Sequence, residues 1–374
     1  RFHVTMLFEV TLICICIVLS IVCCRKTCIF CNVKYYYIGI KYHGHDIFNI
    51  KYNKIDLFPK PNKIAIVTGG SRGIGAKIVE QLLQCDMEVI IACRVISAGE
   101  NIIQQIRESG VISGRAKVYK LDNSSLESVK KFAKQIKADY DKIHILINNA
   151  AVMFSAYKNT EDGYEEQWMV NYLSHFLLTS LLLPLLKTGG HPEECSRIVN
   201  VSSCAHDLGT INFDYINNFD KELICRHDSY GQSKLAQTMS TITLQKLFKE
   251  KSLNILVYSV HPGIVKTDLF KETVLAWNKW LMVGWKVTIY TKFFKFSTII
   301  NPFTVTLLSQ TANQGATTVT YAALSKDLEK KGGIYISNCK EMTVPYLALK
   351  EEVRKRLFEL SLKQIYLENF FQYL

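Results

Sequence analysis

Between Lys63 and Val260, short β-branched runs alternate with helix-length segments, and this alternation constrains the fold more than any other feature. Ile64–Thr68, Glu88–Ala92, Lys117–Leu121, Ile143–Ile147, Arg197–Val201 and Asn254–Val260 read as strands. Most are continuous apolar runs bounded by turn residues, the pattern of strands buried on both faces in a parallel sheet. Gly73–Cys85, Ala98–Ser109, Ser124–Asp139, Asp162–Leu186 and Asp228–Glu250 lie between them as candidate helices. Parallel neighbours need a crossover, so the expectation is one α/β domain with a doubly wound parallel sheet. The 374 residues are 48% hydrophobic and 21% charged, which excludes a disordered or collagen-like chain.

Lys and Arg exceed Asp and Glu by 45 to 33, a net charge of +12. Such a balance invites nucleic acid, acidic lipid or a phosphorylated ligand. The basic residues are scattered, and no nucleic acid partner is expected. Six of the 12 cysteines fall in the first 31 residues, beside an apolar stretch, rather than in the regular spacing of a disulfide scaffold. Cys28 and Cys31 form a CxxC with no second pair to complete a zinc site, so no metal is expected. A reducing compartment is the better reading.

Met6–Cys24 spans 19 residues interrupted only by Glu9, close to the ~20 needed to cross a bilayer core. A cleaved signal peptide and a buried core helix compete with a membrane anchor. Small residues at a cleavage site are missing, Arg25-Lys26 follows at once, and the polar, aromatic stretch Tyr35–Asn53 separates the segment from the domain. The anchor is therefore favoured. Arg25, Lys26, Lys34 and Lys41 lie after it and only Arg1 before it, which places the following domain in the cytosol, on a membrane such as the endoplasmic reticulum. The chain opens on Arg1 rather than Met, which leaves open whether residues precede it. The organisation expected is an anchor with its basic flank (1–34), a linker (35–61), a catalytic domain (62–345) and a C-terminal helical tail (346–374).

Directly after the first strand comes Thr68-Gly69-Gly70-Ser71-Arg72-Gly73-Ile74-Gly75, then a helix. Glycines let a backbone turn tightly and approach a pyrophosphate, and a helix N-terminus offers it free N–H groups. Strand before and helix after make this a nucleotide turn rather than a bare Gly-rich loop. Its G-x-x-x-G-x-G spacing resembles that of the short-chain dehydrogenase/reductase family. The likeness continues through Asn148-Asn149-Ala150-Ala151, Asn171 in NYLSHFLLT, Ser202-Ser203, Tyr230-Gly-Gln-Ser-Lys234 and His261-Pro-Gly-Ile-Val-Lys-Thr267. In wording (ACR, NYLSHFLLT, VNVSS, YGQSKLA) the chain is similar to the retinol-dehydrogenase-like branch. The resemblance implies a Rossmann-type sheet of about seven strands with NAD(P) at its C-terminal edge.

Tyr230 and Lys234, four apart on a helix, share a face. A phenol is a poor acid–base catalyst at pH 7 unless a nearby cation stabilises its phenolate, and Lys234 is expected to supply that charge. Tyr230 would then protonate a carbonyl oxygen or deprotonate an alcohol. By resemblance, Ser203 polarises the substrate oxygen, Lys234 also bonds the nicotinamide ribose, and Asn171 anchors a proton-relaying water. Ser202 competes with Ser203, and the family's serine aligns with the second of the pair. The 27 residues between Ser203 and Tyr230 exceed the family's shortest versions, which an inserted loop at His206–His227 would explain.

The same resemblance assigns the cofactor to Gly69, Ser71, Arg72, Gly73, Ile74, Gly75, Asp122, Asn149, Ala150, Tyr230, Lys234, Pro262, Gly263, Val265 and Thr267. NAD-preferring relatives carry a carboxylate at the end of the second strand. Here that end reads Ala92-Cys93-Arg94, and Arg72 lies in the glycine turn, so two guanidiniums suit the 2′-phosphate of NADP(H). Ala151 replaces the last glycine of the family's NNAG, and Asn123 a usual apolar residue.

Thr273–Gln310 breaks the alternation. Trp277, Trp280, Trp285, Phe293, Phe294, Phe296 and Phe303 are interleaved there with Lys279, Lys286, Lys292 and Lys295. It reads equally as a membrane-interface element or a lid on an apolar pocket. Both imply a lipophilic alcohol or carbonyl substrate such as a retinoid, polyisoprenoid, steroid or fatty aldehyde. Two other readings stand beside this one: a membrane-bound scaffold that binds NADP without catalysis, and an epimerase on nucleotide sugars, which would prefer NAD. A homodimer is admitted.

Overall fold

The computed structural model describes residues 28–218, 226–265 and 310–374. The apolar stretch Met6–Cys24, Thr267 and all of the 273–310 segment except Gln310 lie outside the described residues.

Eight strands form one sheet in the order β3-β2-β1-β4-β5-β6-β7-β8. They are β1 (Ile64–Thr68), β2 (Glu88–Cys93), β3 (Arg115–Lys120), β4 (Ile145–Asn148), β5 (Ser196–Val201), β6 (Ile255–His261), β7 (Ile334–Ser337) and β8 (Lys340–Met342). The first seven pair in parallel, and β8 returns antiparallel as an edge hairpin, one strand beyond the seven expected. The chain reverses its direction of travel across the sheet between β1 and β4, so a crevice opens at their C-terminal ends.

Successive strand residues face opposite layers. Ile66, Ile90, Leu146, Ile198 and Val257 pack into one core, and Val67, Ile91, Ile147, Val199 and Tyr258 into the other. Helix α1 (Cys28–Asn49) precedes the sheet. Helices α2 (Gly73–Gln84), α3 (Ile96–Glu108) and α4 (Leu126–Asp139) cross over between the first four strands. Ser125 starts α4 by accepting from the backbone N–H of Ser128. Helix α5 (Glu166–Gly189) runs from β4 toward β5 and is long and apolar enough to cross a membrane, yet 94% of that stretch is buried in the fold. It is the central core helix. Helices α6 (Phe213–Asn218) and α7 (Arg226–Glu250) lead into β6, and α8 (Ala312–Leu324) into β7. A reciprocal Thr311–Gln314 capping box opens α8.

One expectation of organisation needs correction. Residues 35–61, read as linker, hold most of α1 and a 3-10 turn at Ile50–Tyr52. Ile38, Tyr42 and Asp46, four apart, face inward, while Asn53 bonds the Gln314 carbonyl and Thr318. Residues 346–374, expected as a helical tail, are helical and pack into the fold. Helices α9 (Tyr346–Leu349) and α10 (Glu351–Gln364) and the last turn place Ala348, Leu357, Ile365 and Phe370 in the main core.

Candidate active site

The C-terminal ends of β1 and β4 are joined through one hydroxyl. Thr68 Oγ1 accepts the backbone N–H groups of Asn149 (2.9 Å) and Ala150 (3.0 Å) and lies 2.9 Å from His175 Nε2. Asn149 Nδ2 donates to the Thr68 carbonyl at 2.8 Å, which ties the glycine turn to the next strand. Gly69 and Gly73 hold φ of +66° and +57°, conformations that L side chains rarely adopt. A Cβ at Gly75 would sit 2.2 Å from the Gly69 carbonyl oxygen, so the turn closes only with glycine there. Arg72 occupies the N-cap of α2 and makes no side-chain capping bond, which leaves the first-turn amides available to an anion. Ser71 and Ile74 are half-buried beside it.

Arg72 and Arg94 are both exposed at this edge, and no carboxylate stands at the end of β2. Asp122, after β3, uses Oδ1 to accept from the backbone and hydroxyl of Ser124. Asn123 is buried and donates to Ser174 Oγ at 2.9 Å, which explains a polar residue where an apolar one was expected. These features fit a dinucleotide: a tight turn, an open helix N-terminus and two exposed cations, Arg72 and Arg94.

Helix α5 carries a π-type turn at Met169–Leu173, with Asn171 at its centre. Asn171 Nδ2 donates to the Val152 carbonyl and to Ser233 Oγ, both at 3.0 Å, and its Oδ1 accepts Val152 N–H at 2.8 Å. Asn171 thereby joins the β4 loop to the residue preceding Lys234. Its backbone oxygen lies 3.0 Å from His175 Nδ1.

The two serines after β5 have different environments. Ser202 is buried and donates to the Lys234 carbonyl at 2.9 Å, locking α7 onto β5. Ser203 is half-buried, accepts Ala205 N–H at 3.2 Å and lies near enough to the Tyr230 phenol to influence its ionisation. The Tyr230 ring is buried among Met153, Ala205 and Phe154, whose ring centroid is 5.2 Å away.

Lys234 Nζ stands 5.7 Å from the Tyr230 ring centroid and donates to the Val201 carbonyl (2.7 Å) and Gln237 Oε1 (3.0 Å). Burial drives its pKa down to about 7. Burial also raises the pKa of Tyr230, against the lowering effect of the nearby Ser203 side chain. The expectation that Lys234 depresses the phenol's pKa is not met in the protein alone. Desolvation of the phenol dominates, and the ammonium points at backbone and amide oxygens.

Pro262, Gly263 and Val265 follow β6 at the same edge. Gly263 has φ +86°, and a Cβ there would come within 2.6 Å of the Gln310 side chain. The sequence reading assigned no role to three buried groups that hold this site. His175, its pKa lowered to about 4 by burial, spans Thr68 and Asn171. Glu165 accepts Trp168 N–H (2.9 Å) and Ser229 Oγ (2.6 Å), fixing the residue before Tyr230. Asp46 reaches the loop after β6 from α1. Of these, only His175 left a trace in the sequence, four residues after Asn171.

The family pattern described as short chain dehydrogenase matches residues 63–216. Polyprenol dehydrogenase of Homo sapiens is 33% identical over 306 residues, covering 81% of this chain and 85% of its own length. The chain belongs to the short-chain dehydrogenase family. Retinol dehydrogenase 12 of Mus musculus is 35% identical over 301 residues, 80% of this chain and 85% of its own. Among solved structures, an uncharacterized protein from Mycobacterium Paratuberculosis matches with a TM-score of 0.63 and 27% identity, covering 84% of this chain and 97% of the other. This short-chain dehydrogenase therefore sits in the retinol-dehydrogenase-like branch and is an oxidoreductase of alcohol/aldehyde type.

Proposed function

We propose that this short-chain dehydrogenase interconverts a lipophilic alcohol and its aldehyde or ketone with NADP(H), using Tyr230 as general acid and base. The observation that carries the reading is the phenol of Tyr230 placed beside Ser203 and Lys234, at the sheet edge that holds the open glycine turn. When bound, the nicotinamide supplies or accepts the hydride. The turn residues Gly69–Gly75 hold the pyrophosphate, Arg72 and Arg94 the 2′-phosphate, and Asp122, Asn149 and Ala150 line the adenosine side. Pro262, Gly263, Val265 and Thr267, with Lys234, hold the nicotinamide side.

Ser203 donates to the substrate oxygen and fixes it beside the phenol. The raised pKa keeps Tyr230 protonated at neutral pH, ready to give its proton to a carbonyl oxygen. In the reverse direction that proton must leave. Lys234, near 7, gains or loses charge at working pH and is the adjacent group able to support the phenolate. The names of the retinol and polyprenol relatives favour a lipophilic substrate, and so do the rings and lysines of 273–310. An anchor at Met6–Cys24 would hold the enzyme on the cytosolic face of a membrane such as the endoplasmic reticulum, where such substrates dissolve.

The test is oxidation of NADPH and of NADH at equal concentration by the full chain in membranes, with retinal, polyprenal, steroid and fatty aldehydes. Turnover of one class, with NADPH preferred, is expected. Tyr230→Phe should lower kcat by at least about 100-fold, the scale of a lost general acid, while NADPH still binds. Equal use of NADH would overturn the NADP assignment. NADPH binding with no turnover would instead mark the chain as a scaffold.

A further inference from the structure

Helix α1 comes close to the site through Asp46. This carboxylate is 2% exposed and uses both oxygens. Oδ2 accepts the backbone N–H of Ile264 at 3.1 Å, and Oδ1 accepts Asn338 Nδ2 at 2.8 Å. Asn338 lies in the β7–β8 hairpin with φ +48°, and its Oδ1 accepts Gln310 Nε2 at 3.3 Å. Gln310 N–H in turn donates to the Ile264 carbonyl at 2.9 Å, and Val265 and Gln310 form a parallel bridge. Asp46, Ile264, Gln310 and Asn338 thus make a closed ring of hydrogen bonds around the turn at Gly263. His261 Nε2 and His45 Nδ1 each stand 3.9 Å from the Asp46 carboxylate, and burial keeps the His261 imidazole neutral, so no full positive charge from His261 neutralises it. Two hydrogen bonds are then what hold a buried carboxylate, and their loss is costly.

We propose that Asp46 is a positioning residue for cofactor binding: through Ile264 and Asn338 it fixes the Pro262–Val265 turn. Helix α1 is then a working part of the site as well as the connection to the N-terminal apolar segment. A second contact runs the same way. Tyr42, one turn before Asp46, donates to Asp207 at 2.6 Å in the 3-10 turn Cys204–Leu208 that follows Ser203. The assignment rests on the NADP(H) reading of the site.

The carboxylate–amide pair allows a swap. In Asp46→Asn one acceptor becomes a donor facing the Asn338 amide, and the ring breaks. In the double variant Asp46→Asn/Asn338→Asp, the amide at 46 accepts from Ile264 and donates to the carboxylate at 338. The second oxygen at 338 still accepts from Gln310, so the ring re-forms with its charge relocated. Two readouts on the full chain in detergent decide the matter: NADPH affinity by fluorescence titration, and hydrogen exchange of the peptide covering 262–265.

Asp46→Asn is expected to weaken NADPH binding about tenfold and to speed exchange at 262–265, with both restored to within about threefold in the double variant. Wild-type NADPH binding with unchanged affinity in Asp46→Asn would overturn the assignment alone. So would a loss that the swap fails to restore. A wild type that binds neither NADPH nor NADH would overturn the reading of the site and this assignment with it.

Discussion

Lys234 is 1% exposed, and its ammonium is met by one carbonyl and one amide oxygen. Its folded pKa, about 7, lies below the ordinary 10.5, so between these values the unfolded chain holds more protons than the folded one. Stability must then climb with pH across that window. Melting temperatures followed from about pH 7 to about pH 9 should rise more steeply in the wild type than in Lys234→Met. Equal slopes would refute the desolvated lysine. The identity of this residue was legible because Tyr and Lys at i, i+4 share a helix face whatever surrounds them. Its electrostatics were not legible, since they depend on Val201 and Gln237, which the motif does not contain. The choice between Ser202 and Ser203 likewise depends on the direction each hydroxyl takes from the end of β5, and one residue of register turns Ser202 onto α7.

At the scale of elements, the strand–turn–helix unit β1–α2 is the best specified part of the chain. Its glycines are required by backbone geometry rather than by neighbours that fold in later. Gly75→Ala places a methyl against the Gly69 carbonyl and Asn149 Nδ2 at once. We expect it to cost at least the ~1–3 kcal/mol of an overpacked core site and to abolish NADPH binding. Urea denaturation and cofactor titration read the two effects separately, and a variant with unaltered affinity would show that the turn does not carry the pyrophosphate. Helix α1 is the opposite case. Both hydrogen bonds to the Asp46 carboxylate are long-range, 218 residues to Ile264 and 292 to Asn338. No local pattern distinguishes such a helix from a linker. The apolar period that buries Ile38, Tyr42 and Asp46 is interrupted by a carboxylate, which a sequence reading counts as surface.

Across the whole molecule, residues 346–374 close the main core. Phe370 is 1% exposed and packs 4.9 Å, centroid to centroid, from Phe176 of α5 and 5.8 Å from Phe358 of α10. The Phe370 carbonyl accepts the buried hydroxyl of Ser180 at 2.6 Å, and Gln364 bonds the Trp168 indole at 3.0 Å. Phe370→Ala should therefore cost about 3–5 kcal/mol, the range for a fully buried aromatic. A single shifted urea transition is expected, and a loss confined to the last turn would refute this closure. The doubly wound parallel sheet followed from the strand–helix alternation, but nothing local in residues 346–374 told that α10 covers α5. This dependence has a consequence for biogenesis. The long apolar helix emerges from the ribosome well before the phenylalanine that seals it, which follows Ser180 by 190 residues. Until that residue is made, a nascent chain offers the greasy face to chaperones or to neighbouring chains, so the core closes late relative to the helix at its centre.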